Sequence, residues 1–259
     1  MLNLIKMDLY RLFKSKPFII CLAISALLAL ASTPIEKAFS LLAAALAGEG
    51  AADLFDKQEK MSAILLSPLF PGSFGAILPF ISLVSYYNAD IEHGYIKNIA
   101  GQLPARGLTV FSKFFATIPH NLIFMCVGVL FNILGTMFLR TIVWDAEVAS
   151  ALGTFFIKLL LMQSVATLLV FVVSTLRLKS LGAILAVLMG SPMMTIVYGL
   201  ISTLLERVGI KNFSLSDYMP DAILCETQPE ILTAILSALI FGAIFLALAI
   251  RVFDRRDVK

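Results

Sequence analysis

The chain has 259 residues, of which 59% are hydrophobic and 14% charged, with a net charge of +3 and a mean hydropathy of +0.94. A soluble domain carries about 25% charged residues, so lipid rather than water is the expected solvent for most of this chain. No basic run with interleaved aromatics is present, which argues against nucleic-acid binding.

Leu2 to Lys16 reads as an amphipathic helix lying in the inner membrane interface: Leu2, Ile5, Leu9, Leu12 and Phe13 share one face, and Asn3, Tyr10, Arg11 and Lys14 lie opposite. Leu4 and Met7 fall off that stripe. The plain alternative is a basic flank that only sets orientation. The basic start followed by an apolar run ending in Ala29-Leu30-Ala31 imitates a secretory signal and reads as an uncleaved first span.

A membrane helix needs about 20 mostly apolar residues. Six stretches qualify: Pro17 to Thr33, Leu69 to Tyr87, Phe114 to Leu139, Leu152 to Leu176, Leu181 to Leu205 and Ile231 to Val252. Pro34 is expected to stop the first, because proline lacks the helical donor. Beyond it, Ile35 to Leu46 reads as a short helix on the outer leaflet, with Ile35, Phe39, Leu42 and Leu46 along one stripe. Gly190-Ser191-Pro192 predicts a kink near the middle of the fifth span.

Orientation follows from the basic residues. With the N-terminus inside, Lys6, Arg11, Lys14, Lys16, Lys97, Arg106, Lys113, Arg177, Lys179, Arg251, Arg255, Arg256 and Lys259 are cytoplasmic. Fewer, including Lys37, Lys57, Lys60, Arg140, Lys158, Arg207 and Lys211, lie outside or near the outer surface. That bias places both termini in the cytoplasm. Residues 1–259 thus form a single all-α transmembrane domain, a polytopic bundle of six helices with no soluble domain in any loop. The outer segments Pro34 to Pro68 and Glu206 to Pro229 hold most of the acidic residues, among them Glu36, Glu49, Asp53, Asp56, Glu59, Asp217, Asp221 and Glu226. These read as solvated loops, with attraction of cationic peptides the sharper reading.

Catalysis has few candidates. His93 falls in a cytoplasmic loop and His120 near the inner end of the third span, neither with a cysteine or carboxylate at metal-ligand spacing. No metalloprotease, serine-hydrolase or nucleotide-binding motif occurs. Neither a catalytic residue nor a metal ligand is assigned. No aspartate or glutamate sits in the middle of a span, which disfavours a proton-driven carrier. Lys158 alone enters a span, and its long stem predicts that it snorkels to the outer interface. Milder polar groups, Ser85, Asn121, Asn132, Gln163, Ser191 and Tyr198 among them, read as helix-packing groups or as candidates for a substrate path.

The stretch from Asp90 to Lys113 is DIEHGYIKNIAGQLPARGLTVFSK. Ile96 and Ile99 would share a face of a short cytoplasmic helix that Pro104 ends. This loop resembles that of the permease subunits of ABC-2 type ABC transporters, which runs glutamate, glycine, a small helix, Pro-x-x-Arg or a near variant, and a lysine at the start of the third span. Tyr95 stands where that family often has threonine. The resemblance implies a coupling helix between the second and third spans that docks into the ATPase, with Asp90, Glu92, Gly94, Ile96, Lys97, Asn98, Ile99, Pro104, Arg106 and Lys113 as coupling residues. The amphipathic N-terminal helix and the charged tail Phe253-Asp254-Arg255-Arg256-Asp257 also resemble that family.

The resemblance further implies a bacterial plasma-membrane exporter of hydrophobic or amphipathic substrates such as antimicrobial peptides, antibiotics or lipids. It implies an ABC ATPase dimer as partner, a second permease chain, and membrane lipids around both. ATP and magnesium would be bound by the ATPase, and no cofactor by this chain. A reading of another class is a membrane-embedded enzyme or processing factor acting on lipids or peptides through His120, Asn121 and the outer acidic loops.

Overall fold

The computed structural model describes residues 2–47, 58–67, 75–95, 107–207 and 213–255. In chain order these form α1 (Leu2–Phe13), α2 (Lys16–Ala47), β1 (Gln58–Lys60), α3 (Met61–Leu66), α4 (Ile77–Glu92), α5 (Leu108–Met137), β2 (Thr141–Val143) and α6 (Val148–Leu169). A π-helical stretch, Val170–Thr175, prolongs α6, followed by α7 (Lys179–Met189), α8 (Met193–Arg207), α9 (Pro220–Cys225) and α10 (Ile231–Arg255). The result is a helical bundle; the two three-residue strands pair in parallel, Gln58 opposite Thr141.

Among the described residues, four helical segments are long and apolar enough to cross a membrane: Lys16–Ile35, Leu108–Met137, Val148–Thr175 and Ile231–Arg255. The pair α7 and α8 makes a fifth if its 88° bend lies within one span. The bundle is therefore compatible with a multi-pass membrane protein. The expected second span corresponds to α4, which has 16 described residues, short of the about 20 that a crossing needs; residues 68–74 lie outside the described residues.

In lipid the helices gain little from hiding apolar surface, so close packing and polar contacts hold them together. The centre of the bundle is α6, of which 72% of the most apolar stretch is buried, against 17% for α10. Leu161, Met162, Val165, Ala166 and Leu169 of α6 meet Phe80, Leu83 and Tyr87 of α4 in one core. The turn at 170–175 widens the helix, Leu176 N–H reaching the Phe171 carbonyl at 3.0 Å. Gly182 of α7 lets Val173 of that turn approach so closely that a Cβ would overlap it.

Pro34 does not end the first span. The helix α2 runs through it to Ala47 in 32 residues, so Ile35–Leu46 is a continuation of α2 and not a separate surface helix; the side chains of Phe39 and Leu46 are not described. Proline deprives the Leu30 carbonyl of its helical donor, and α5 comes closest at that carbonyl, where Gly135 has no side chain to hold it off. Ser32 donates to Asn132 Oδ1 at 3.2 Å and Thr33 shares a 3.0 Å hydrogen bond with Thr136. These two bonds join α2 to α5 just ahead of the proline. The kink expected at Gly190-Ser191-Pro192 is a full break between α7 and α8.

Of the described acidic residues in the segments 34–68 and 206–229, Asp217 and Glu226 are exposed, as expected of solvated loops, whereas Glu59 and Asp221 are packed. Arg140 pairs with Glu59 beside the strands, and Asp221 is buried, accepting from the Tyr198 hydroxyl at 2.9 Å. Lys158 does not snorkel: it is 6% exposed and its ammonium donates to the Leu66 carbonyl at 2.6 Å. The last carbonyls of a helix lack internal partners, so α3 offers this charge an acceptor inside the protein. At the other end of α3, Asp145 accepts from Ser62 Oγ at 2.5 Å and Ser62 N–H at 3.3 Å.

The Ser62 hydroxyl holds the Asp145 carboxyl below its ordinary value. A depressed carboxylate contributes stability above its unfolded value and loses it as pH falls through its folded value. Acidification below about pH 4 should therefore speed hydrogen exchange at the Ser62 and Ala63 amides. In Asp145→Asn that acceleration should be absent, which exchange mass spectrometry can check.

Candidate functional site

Asp8 sits at the middle of α1 on the stripe Leu4, Asp8 and Leu12, all buried. This is the face that α1 turns to the protein. Leu2 is 74% exposed, while Ile5, Leu9, Arg11 and Phe13 are half-buried flanks. The expected apolar face is thus rotated toward Leu4, because the α1 contact is made by a carboxylate and its partners as well as by leucines.

Those partners come from distant segments. Asp8 accepts from Ser112 Oγ at 2.6 Å, Tyr86 Oη at 3.2 Å and Tyr95 Oη at 3.4 Å. Asp90, fully buried in the last turn of α4, pairs with both Arg11 and Lys113. The Arg11 guanidinium lies 3.2 Å from the Tyr95 ring centroid, and the Lys113 ammonium 4.8 Å and 5.1 Å from those of Tyr86 and Tyr87. Two carboxylates and two cations balance in a space walled by aromatic faces, the arrangement that makes buried charge tolerable. Burial and the nearby Asp8 carboxylate push the Tyr95 hydroxyl up to about 12, so it stays a donor.

The helix α5 starts at Leu108, ahead of the expected start at Phe114, and Lys113 lies within it at 2% exposure. Glu92 is exposed, and its carboxylate is lowered by the Lys179 ammonium 2.8 Å away. Gly94 closes α4 with φ of 65°, a left-handed conformation that favours glycine. Ile96, Lys97, Asn98, Ile99, Pro104 and Arg106 lie outside the described residues.

Both edges of that interval are held. Tyr95 is fixed on Asp8 and Arg11, and Gly107 N–H donates to Asp254 Oδ1 at 2.6 Å. A Cβ at Gly107 would stand 2.8 Å from Ile250, so α10 packs directly on the entrance to α5.

The candidate path residues fall in separate places. Asn121 and Gln163 belong to one buried chain: Ser82 Oγ meets His120 Nε2 at 3.2 Å, His120 Nδ1 meets Asn121 Oδ1 at 3.1 Å, and Asn121 Nδ2 donates to Gln163 Oε1 at 3.2 Å. Gln163 in turn donates to Thr117 Oγ1 at 2.7 Å and the Phe114 carbonyl at 2.9 Å. His120 is therefore a fully hydrogen-bonded packing residue between α4 and α5. Asn132 is at the α2–α5 contact, Ser191, in the break after α7, donates to the Leu188 carbonyl at 3.1 Å, Tyr198 binds Asp221, and Ser85 borders a cleft beside α1.

Near the strands, a cleft of about 490 Å³ is lined by Met61, Ile133, Met137, Ile142 and Trp144 with Arg140. Among the described residues, no three of His, Cys, Asp and Glu come together as metal ligands.

Asp8, Ser112 and Tyr87 were missed by sequence reasoning. Asp8 had a signal, being a lone acid four residues from Leu4 and from Leu12 on an otherwise basic helix. No protein-family model matches the chain, and no curated protein or solved structure matches it either.

Proposed function

We propose that the chain is the membrane-spanning permease subunit of an ATP-driven exporter of the ABC type, doing no covalent chemistry and taking its force from a separate ATPase dimer. The observation that carries this reading is the buried charge cluster. It ties the N-terminal helix, the end of α4 and the start of α5 into one joint, and the expected coupling loop, residues 96–106, is bounded in sequence by Tyr95, held on Asp8, and Gly107, held on Asp254. A push on such a loop is transmitted to two membrane helices and to α1 together. A motor can drive the change only by binding the two states of this joint unequally.

In this reading α4 belongs to the second of six spans, both termini are cytoplasmic, the membrane is the plasma membrane of a bacterium, and a second permease chain completes the pathway. The cleft near the strands, apolar with one guanidinium at its edge, favours a hydrophobic or amphipathic substrate such as a peptide, antibiotic or lipid.

The test is coupled transport in vesicles containing the chain and the ATPase with which it copurifies. Replacing Glu92 and Arg106 together by glutamine should reduce export per ATP hydrolysed by about tenfold and leave the unfolding midpoint unchanged. Unaltered export by that double variant, or no copurifying ATPase, contradicts the reading.

A further inference from the structure

Between α1 and the ends of α2 and α4 lies a cleft of about 340 Å³ lined by Tyr10, Arg11, Lys14, Ser15, Ser85 and His93 with their neighbours. Its one carboxylate, Asp90, is already matched by Arg11 and Lys113. Of the rest of the polar lining, Ser15 Oγ donates to the Leu12 carbonyl at 2.7 Å and His93 Nδ1 meets the Ala89 carbonyl at 2.7 Å, which leaves Arg11 and Lys14 as the donors to spare. Arg11 Nη1 is buried with no hydrogen-bond partner, 3.9 Å from Asp8. The Lys14 ammonium has three donors and a 2.9 Å hydrogen bond to Tyr10 Oη. Ser15 and Pro17 bring the first turn of the 32-residue α2 to the same cleft, where the helix dipole adds partial positive charge.

An anion with several acceptor oxygens satisfies this donor set, and phosphate has the right chemistry. The cleft also adjoins an apolar ridge: Ile20, Ile24 and Leu27, one above another on α2, are 57%, 42% and 64% exposed. A free phosphate would make no use of that ridge, whereas a lipid uses both halves. We infer that this cleft holds the phosphate of an anionic phospholipid of the inner leaflet, with its acyl chains along the Ile20–Ile24–Leu27 ridge. The inference rests on the membrane placement of α1 proposed above and not on the exporter.

The experiment titrates the delipidated full chain, in neutral detergent, with short-chain phosphatidylglycerol, short-chain phosphatidylcholine or inorganic phosphate, and reads adducts by native mass spectrometry. Phosphatidylglycerol should be retained at least about fivefold better than phosphatidylcholine. Lys14→Gln should abolish the difference, Lys14→Arg should keep it, and Lys16→Gln, which removes a charge outside the cleft lining, should keep it too. Equal retention of the two lipids, equal losses in Lys14→Gln and Lys16→Gln, or inorganic phosphate binding as tightly as phosphatidylglycerol would overturn the assignment. No ATPase is needed, so failure of the exporter reading leaves this result standing.

Discussion

Asp90→Asn should lower the unfolding free energy by about 3–5 kcal/mol, measured by denaturant titration in micelles. Asp90 has no exposure and faces two cations, Arg11 and Lys113. The amide keeps the shape but removes the charge, leaving two cations with Asp8 as the nearest carboxylate, 3.9 Å from Arg11 and already accepting from three hydroxyls. Uncompensated charge in such surroundings has no water to turn to. Adding Lys113→Met to Asp90→Asn should recover part of the loss, because deleting both members of a buried pair is far milder than deleting one. The two changes should therefore be non-additive. A loss below about 1 kcal/mol for Asp90→Asn would mean that the site is hydrated and the pairing weak.

Gly135→Val should destabilise the α2–α5 contact by about 1–3 kcal/mol, the usual cost of forcing extra atoms into a packed site. A Cβ at residue 135 would overlap the Leu30 carbonyl oxygen, and its neighbours on that side are the Leu30 carbonyl carbon and Cα. Backbone cannot rotate out of the way as a side chain can. The helices must separate, and the Ser32–Asn132 and Thr33–Thr136 hydrogen bonds beside the contact stretch with them. Gly153→Val is the matching control, since a Cβ there meets nothing within 4 Å. Equal thermal stability of the two variants would contradict the close approach.

The long apolar helices were legible because lipid makes composition itself the signal: α5, α6 and α10 lie where hydropathy puts them. The break at 190–192 was legible in the same way, from glycine and proline chemistry. Pro34 and Lys158 misled because each is set against a distant segment: Leu30, ahead of the proline, packs on Gly135, and the Lys158 ammonium donates to the Leu66 carbonyl. The charge cluster was half visible. Asp90, Arg11 and Lys113 stood out one by one, but Asp8 finds its hydroxyl partners 78 to 104 residues along the chain, a pairing that no periodicity encodes.

The helices α4 and α7 touch at both extremities. Lys179, opening α7, grips Glu92 at the close of α4, and Gly190, just past α7, abuts the backbone of Ile77 at the start of α4, where a Cβ would come within 2.6 Å. Held at two places, about 17 Å apart along α7 and about 23 Å apart along α4, the two helices pack as a pair. Any shift of this pair against α8 must be taken up at the 88° corner between α7 and α8, and Tyr198 of α8 is itself tied to Asp221 of α9.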